Sequence, residues 1–164
     1  MLGGGVFVTQ DKILPGSYIN FVNASKATAT LGERGTVAIA LPLNKAAGTV
    51  IEVTREKFAT NCSEILGVSY DADEVVALRE IFRHANKVYV YDLGEDGAAE
   101  DVVNALEAYD FNILCAYTDE PTEYITAVKN WRDEMGKKCQ VVVYNQTEAD
   151  HEGVINVVST VSEG

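Results

Sequence analysis

The fold of this 164-residue chain is decided by residues 88–117, VYVYDLGEDGAAEDVVNALEAYDFNILCAY. The stretch opens with a nearly continuous apolar run, Val88 to Leu93, which is typical of a strand covered on both faces. Ala98 to Tyr109 then places apolar residues at helical spacing, and Asn112 to Tyr117 is a second apolar strand. A strand, a helix and a strand of these lengths predict a right-handed βαβ unit.

The same alternation continues on both sides of this unit. The predicted upstream elements are a strand, a short extended piece, a helical turn and a helix: Thr36–Leu43, Val50–Val53, Glu56–Thr60 and Asp73–Ala85. The predicted downstream elements are a helix and two strands: Pro121–Met135, Gln140–Tyr144 and Val154–Ser159. We therefore expect an α/β fold, in which a largely parallel sheet forms the middle of three layers.

Details of the helices follow from the same periodicity. Asp71 with Glu74 three residues later has the form of a capping box at the start of the helix that ends near Ala85. The helix that begins at Pro121 is expected to bury Met135 in its last turn and to stop at Gly136-Lys137-Lys138.

The first 30 residues carry strand-forming side chains but no signal for a tight hairpin. Three glycines precede them and Pro15-Gly16 divides them, so we predict an extended arm over residues 1–30 and a body over residues 31–164. About twenty extended residues reach roughly 65 Å, enough to add a strand to a neighbouring molecule. The residues expected at that interface are Val6, Phe7, Val8, Tyr18, Ile19, Phe21 and Val22.

The net charge of −12 is concentrated in the second half of the chain. Up to Lys87 the chain has nine Lys/Arg and nine Asp/Glu, whereas from Val88 onward it has four Lys/Arg and sixteen Asp/Glu. Binding to a phosphate backbone needs clustered basic residues, so nucleic acid is not expected as a partner. The sequence also lacks the run of about eighteen apolar residues that a spanning helix needs, so no membrane partner is expected.

Gly94-Glu95-Asp96-Gly97, between an apolar strand and a helix, has the outline of a phosphate-binding turn. Its details oppose that function, because G-x-G-x-x-G is absent and two acidic side chains would stand where the anion should bind. We expect Glu95 and Asp96 to cap the following helix instead.

Other chemistry has weak support. His84 and His151 are the two histidines, and Asp150-His151-Glu152 could ligate a metal only if adjacent loop residues converged on one ion. Cys62, Cys115 and Cys139 show no metal-ligand spacing and are expected to be reduced. No catalytic residue, metal or cofactor is predicted.

Two motifs near the start resemble contractile tail sheath proteins of phages and phage-tail-like bacteriocins. They are LPGSYINF at residues 14–21 and GERGTVAIALPL at residues 32–43, similar to the PG-x-Y-I-x-F arm and G-x-R-G-x-V strand of that family. The likeness is close over Leu14 to Leu43 and general beyond it. Family members are about twice as long, so the resemblance implies a piece of a longer protein without the C-terminal inner domain.

The resemblance implies a structural subunit of a virion or a phage-tail-like particle, assembled in the bacterial cytoplasm. Such subunits stack around an inner tail tube protein, which they would contact through the C-terminal part, and contract to drive it through a cell envelope. Their arms add strands to neighbouring subunits, which makes a homo-oligomer. The alternative is a small nucleotide-binding enzyme domain of flavodoxin-like or Rossmann-like type, which the βαβ pattern alone favours.

Overall fold

The computed structural model describes residues 35–147 and 149–158. The predicted arm lies outside the described residues, as do its interface residues Val6, Phe7, Val8, Tyr18, Ile19, Phe21 and Val22.

Six strands alternate with four α-helices in the described part of the chain. The strands are β1 Thr36–Leu41, β2 Val50–Thr54, β3 Lys87–Asp92, β4 Ile113–Cys115, β5 Gln140–Tyr144 and β6 Val154–Val157. The helices are α1 Arg55–Leu66, α2 Val76–Ile81, α3 Ala99–Leu106 and α4 Thr122–Asp133, and a 3₁₀ turn at Asp73–Val75 leads into α2.

The strands form one sheet in the order β2-β3-β1-β4-β5-β6, with β1 and β4 at its centre. All neighbouring pairs are parallel except β2 with β3. Ile39 on β1 lies between Val90 of β3 and Cys115 of β4. The other strands that come before β4 in the chain thus lie on one side of β1, and β4 to β6 lie on its other side. This arrangement confirms the predicted α/β fold with a largely parallel sheet.

A separate apolar core lies on each face of this sheet. Alternate strand residues such as Ile39 and Val90 pack with the face covered by α1 and α2. Ala38, Tyr89 and Leu114 point the other way, into the core under α3 and α4. Because side chains alternate along a strand, the apolar runs fill both cores, and the predicted three layers are confirmed.

The structure corrects several predicted helix details. The helical turn near Glu56 is longer than predicted: α1 spans 12 residues, with a kink at Asn61, where φ is −129° and ψ is 29°. No side chain caps the 3₁₀ turn, so the prediction of a capping box at Asp71 and Glu74 is wrong. Asp71 instead lies 3.7 Å from the guanidinium of Arg79. Met135 is 57% exposed rather than buried, because α4 ends at Asp133 and the chain turns away at Gly136, where φ is 67°.

Among the described residues, no helix is both long and apolar enough to cross a membrane.

Candidate functional site

The carboxyl ends of the parallel strands are where an α/β sheet usually places its ligands. At this edge the loop from Pro42 to Thr49 passes over the end of β3. Its backbone N–H groups converge on one side chain, the carboxylate of Asp92, which is fully buried.

Asp92 accepts five backbone N–H groups, four of which belong to this loop. Leu43 and Asn44 donate to Oδ1 at 3.3 and 3.0 Å, and Lys45 and Ala46 donate to Oδ2 at 2.8 and 2.7 Å. The fifth donor is Gly94, at 2.9 Å from Oδ1. Burial by itself would raise the pKa of Asp92, but the N–H donors favour the ionised form and hold the pKa below its usual value.

The glycine turn after β3 serves this arrangement rather than a phosphate. Gly94 has φ of 62°, and a Cβ at this position would lie 2.9 Å from the Cβ of Ala47. Glu95 and Asp96 are exposed, and α3 begins at Ala99 without a side-chain cap, so the prediction that they cap this helix is wrong. The anion that the loop amides surround is supplied by the protein itself.

A second feature of the carboxyl edge is an exposed cleft beyond β4 and β5. It has a volume of about 600 Å³ and is lined by residues 116–119 and 144–146. Tyr117 is 70% exposed and Tyr144 is 53% exposed. Exposed aromatic side chains beside polar groups are typical of protein contact surfaces.

The neighbouring strand β6 adds apolar side chains to the same end of the sheet. It pairs with β5 and, among the described residues, has no partner strand on its other side. Ile155 and Val157 are partly exposed, and Val158 is 72% exposed. An unpaired edge with exposed apolar residues is a template for pairing with another chain.

Charged side chains fasten β6 to α4. Arg132 donates to the carbonyl of Cys139 at 3.0 Å and pairs closely with Glu152. Nδ1 of His151 accepts the N–H of Gly153 at 2.9 Å, while its Nε2 lies 3.4 Å from Asp133. His151 and Glu152 thus contact different partners, and no group of three candidate ligands in the described residues could hold a metal ion.

The remaining candidates show ordinary structural environments. His84 is exposed after α2. Cys62 and Cys139 are buried and Cys115 is partly buried; all three are free thiols, and burial raises the pKa of each. Thiols with a raised pKa are poor nucleophiles at neutral pH.

Sequence reasoning missed Asp92, Tyr117 and Tyr144. Asp92 carried a signal, because it is the single charged residue within the apolar run from Val88 to Leu93. A charged side chain inside a buried strand needs compensating hydrogen bonds. The two tyrosines carried none, since their exposure depends on the surrounding loops.

Two family models match consecutive parts of the chain. One describes the domain III N-terminal region of the tail sheath protein Gp18 and matches residues 34–93. The other describes the central domain of phage tail sheath proteins and matches residues 95–163. The two matches meet just after β3.

Three curated proteins are similar in sequence to this chain, and two of them have phage-related names. The tail sheath protein of Clostridium phage phiCD119 is 35% identical over 79 residues, which cover 46% of this chain and 22% of that protein. The phage-like element PBSX protein XkdK of Bacillus subtilis is 30% identical over 65% of this chain and 23% of its own length. An uncharacterised Bacillus subtilis protein, YqbK, is 29% identical over 93% of this chain and 32% of its own length. The chain thus matches less than a third of each relative.

Two solved structures share the fold. The sheath tail protein from Desulfitobacterium hafniense superposes with a TM-score of 0.69 at 21% identity, over 87% of this chain and 56% of that one. The sheath tail protein from Listeria innocua has a TM-score of 0.63 at 19% identity, over 77% of this chain and 51% of its own.

Proposed function

Since this chain belongs to the phage tail sheath family, we propose that it forms part of the subunit that polymerises around the inner tube of a contractile tail. The particle is a phage or a phage-tail-like element. The subunit's role is structural: it packs against other copies, contacts the tube protein and moves with its neighbours during contraction.

The observation that carries this proposal is the location of the exposed apolar side chains. Tyr117, Tyr144, Ile155, Val157 and Val158 all lie at the end of the sheet formed by β4, β5 and β6. A monomer that exposes such a group of side chains has a surface suited to protein contact. A sheath subunit needs contacts of this kind on more than one side, because contacts between different surfaces build a helical tube.

The arm supplies the second type of contact in this proposal. An added strand gains main-chain hydrogen bonds from the sheet it joins, and alternate side chains fix its register. Such bonds would keep neighbouring subunits connected while their bodies rotate and move outward during contraction. We propose that Val6, Phe7, Val8, Tyr18, Ile19, Phe21 and Val22 make this contact.

The rival function, a nucleotide-binding enzyme, has less support from the geometry. A phosphate would need the backbone N–H groups at the carboxyl edge, and the loop N–H groups there already bond to Asp92. A carboxylate at this position also repels a second anion. We therefore infer that the body has no catalytic role.

Deletion of residues 1–17 from the intact protein tests the proposal. We expect the body to stay folded, because both apolar cores lie between residues 38 and 143. We also expect sheaths that fail to stay continuous through contraction, because subunits lose their connecting strands. Thermal unfolding measures the first effect and electron microscopy of extended and contracted particles the second.

A second variant, in which Val6, Val8 and Tyr18 are replaced by Gly, separates the arm's length from its strand propensity, because it keeps the first and loses the second. It should reproduce the deletion. Normal extended and contracted sheaths from the deleted protein would show that the arm is dispensable.

A further inference from the structure

A groove between α1 and α2 combines aromatic rings with arginines. The ring of Phe58 stacks on Phe82, with 4.8 Å between centroids, and meets Tyr70 at 5.1 Å. Arg79 and Arg83 lie beside these rings. The groove has a volume of about 480 Å³ and is lined mainly by Arg55, Phe58, Tyr70, Arg79, Phe82 and Arg83. We call it the aromatic groove.

The aromatic groove lies at the amino edge of the sheet. The backbone N–H of Arg55 donates to Asn86 at 3.1 Å, and its guanidinium donates to the carbonyl of Ala85. Asn86 in turn donates to Gly35. Gly35 and Asn86 directly precede β1 and β3, so the groove is at the end where the parallel strands begin.

The groove arginines retain donors for a further partner. Arg79 donates from Nη1 to the carbonyl of Tyr70 at 3.2 Å, and the same nitrogen lies 3.7 Å from the carboxylate of Asp71. Its guanidinium lies 5.9 Å from the Tyr70 ring. Arg83 is 69% exposed and pairs with Glu80 at 3.0 Å. A guanidinium has five N–H donors, so each arginine can also bind an incoming carboxylate. The groove therefore suits a segment that has an aromatic ring followed by acidic residues.

The chain carries such a segment at the opposite edge. Tyr117, Thr118, Asp119 and Glu120 are consecutive and exposed, in the turn between β4 and α4. The N–H of Tyr117 donates to Cys115, and that of Glu120 to the hydroxyl of Thr118, so the turn has a defined shape. In the described part of the chain, Asp119 and Glu120 form no ion pair. We call residues 117–120 the acidic turn.

We propose that the acidic turn of one copy binds in the aromatic groove of a second copy of this chain. Tyr117 packs against the ring of Tyr70, which is 42% exposed, whereas Phe58 and Phe82 are buried and support that ring from within the core. The carboxylates of Asp119 and Glu120 pair with Arg79 and Arg83. This inference rests on the proposed function and specifies one contact within the polymer.

The location of the two surfaces determines the kind of assembly. They lie at opposite edges of the sheet, separated by the length of strands of about 20 Å. Each copy therefore offers its acidic turn to one neighbour and its groove to another. In such a head-to-tail contact, each added copy leaves one acidic turn and one aromatic groove free for the next copy. The assembly grows into a helical tube when the rotation between neighbouring copies does not close into a ring.

Charge reversal in the intact protein tests the contact. Arg79→Glu with Arg83→Glu, or Asp119→Arg with Glu120→Arg, should each raise the protein concentration needed for polymerisation at least about tenfold, because like charges meet at the contact. The variant with all four substitutions should recover to within about threefold of the wild-type concentration. A one-to-one mixture of the two pair variants should also polymerise, since every altered surface then meets its altered complement.

Glu95→Arg with Asp96→Arg is the matched control, because it makes the same charge change at exposed positions on the same edge. It should leave polymerisation unchanged. A photo-reactive side chain at position 117 should cross-link, in the polymer, to residues 58–83 of another copy.

Two failures have different meanings. If wild-type protein polymerises but the fourfold variant is no better than the pair variants, or cross-links form elsewhere, the contact is wrong and the sheath function stands. If wild-type protein forms no sheath-like polymer at all, the proposed function fails and this contact fails with it.

Discussion

Asp92 shows at the residue scale how a buried charge can be compatible with a stable fold. Its carboxylate has lost all contact with water, yet five backbone N–H groups replace that solvation. Asn44, one of the donors, has φ of 57°. This left-handed backbone conformation helps to turn the loop amides toward the carboxylate. The same carboxylate therefore shapes the loop between β1 and β2.

Replacing Asp92 by Asn should destabilise the protein by about 3 kcal/mol, because the new NH₂ group faces N–H donors and the charge that attracted them is lost. Urea unfolding at pH 7 measures the change. Asp96→Asn, the same substitution at an exposed position of the next turn, should stay within about 0.5 kcal/mol of wild type. Equal effects of the two substitutions would contradict this account.

The low pKa of Asp92 also predicts how stability depends on pH. Because the pKa is lower in the folded than in the unfolded chain, its stabilisation is complete above the unfolded value of about 3.9 and is lost as pH falls through the folded value. The difference in unfolding free energy between wild type and Asp92→Asn should therefore shrink below about pH 4. Urea titrations from pH 7 down to the acid transition test this, and a constant difference would argue against it.

At the scale of elements, Lys137 joins the ends of two helices. Its Nζ lies 4.4 Å from the ring centroid of Phe111 and 4.5 Å from that of Trp131, which belongs to α4. It also donates to the carbonyls of Leu106 and Glu107 at the end of α3. A cation at a helix C-terminus satisfies free carbonyls and favours the helix dipole, so this lysine holds α3 against α4.

Lys137→Ala should lower the free energy of unfolding by about 1–2 kcal/mol, through the lost carbonyl contacts and cation–π contacts. The melting temperature should fall by roughly 2–8 °C, which calorimetry can resolve. Lys138→Ala next to it changes an exposed residue of the same type and should have little effect. If the two variants had the same melting temperature, Lys137 would not connect the helices in solution.

At the scale of the whole molecule, the carboxyl edge of the sheet differs chemically from the phosphate-binding edge of a nucleotide-binding protein. The loop amides that could hold a phosphate instead bind Asp92, and the exposed surface beside them carries Tyr117 and Tyr144. Sixteen acidic residues from Val88 onward add a field that repels anions. The edge is therefore suited to contacts with protein.

Titration with NAD, FMN or ATP in a calorimeter should accordingly show no binding at micromolar concentrations. Micromolar binding of any of the three compounds to the wild-type protein would favour the enzyme alternative over the structural role.

The sequence by itself determined the class of fold and many of the buried positions. Apolar periodicity reports which side of an element is buried, so the run from Val88 to Leu93 and the stripe of Val75, Leu78 and Phe82 predicted buried positions correctly. The motifs at residues 14–21 and 32–43 also indicated the family. These signals are local in the chain and need no knowledge of distant contacts.

Only the tertiary structure decided the strand order, the antiparallel direction of β2 and the use made of the carboxyl edge. Strand pairing depends on contacts between residues far apart in sequence, such as Val50 with Tyr91, and no local pattern encodes them. Met135 fits a helical stripe but lies past the last turn of α4, where no core remains to cover it. The partners of Asp92 come from a loop about 46 to 49 residues earlier in the chain, so its role appears only when folding brings that loop over the end of β3.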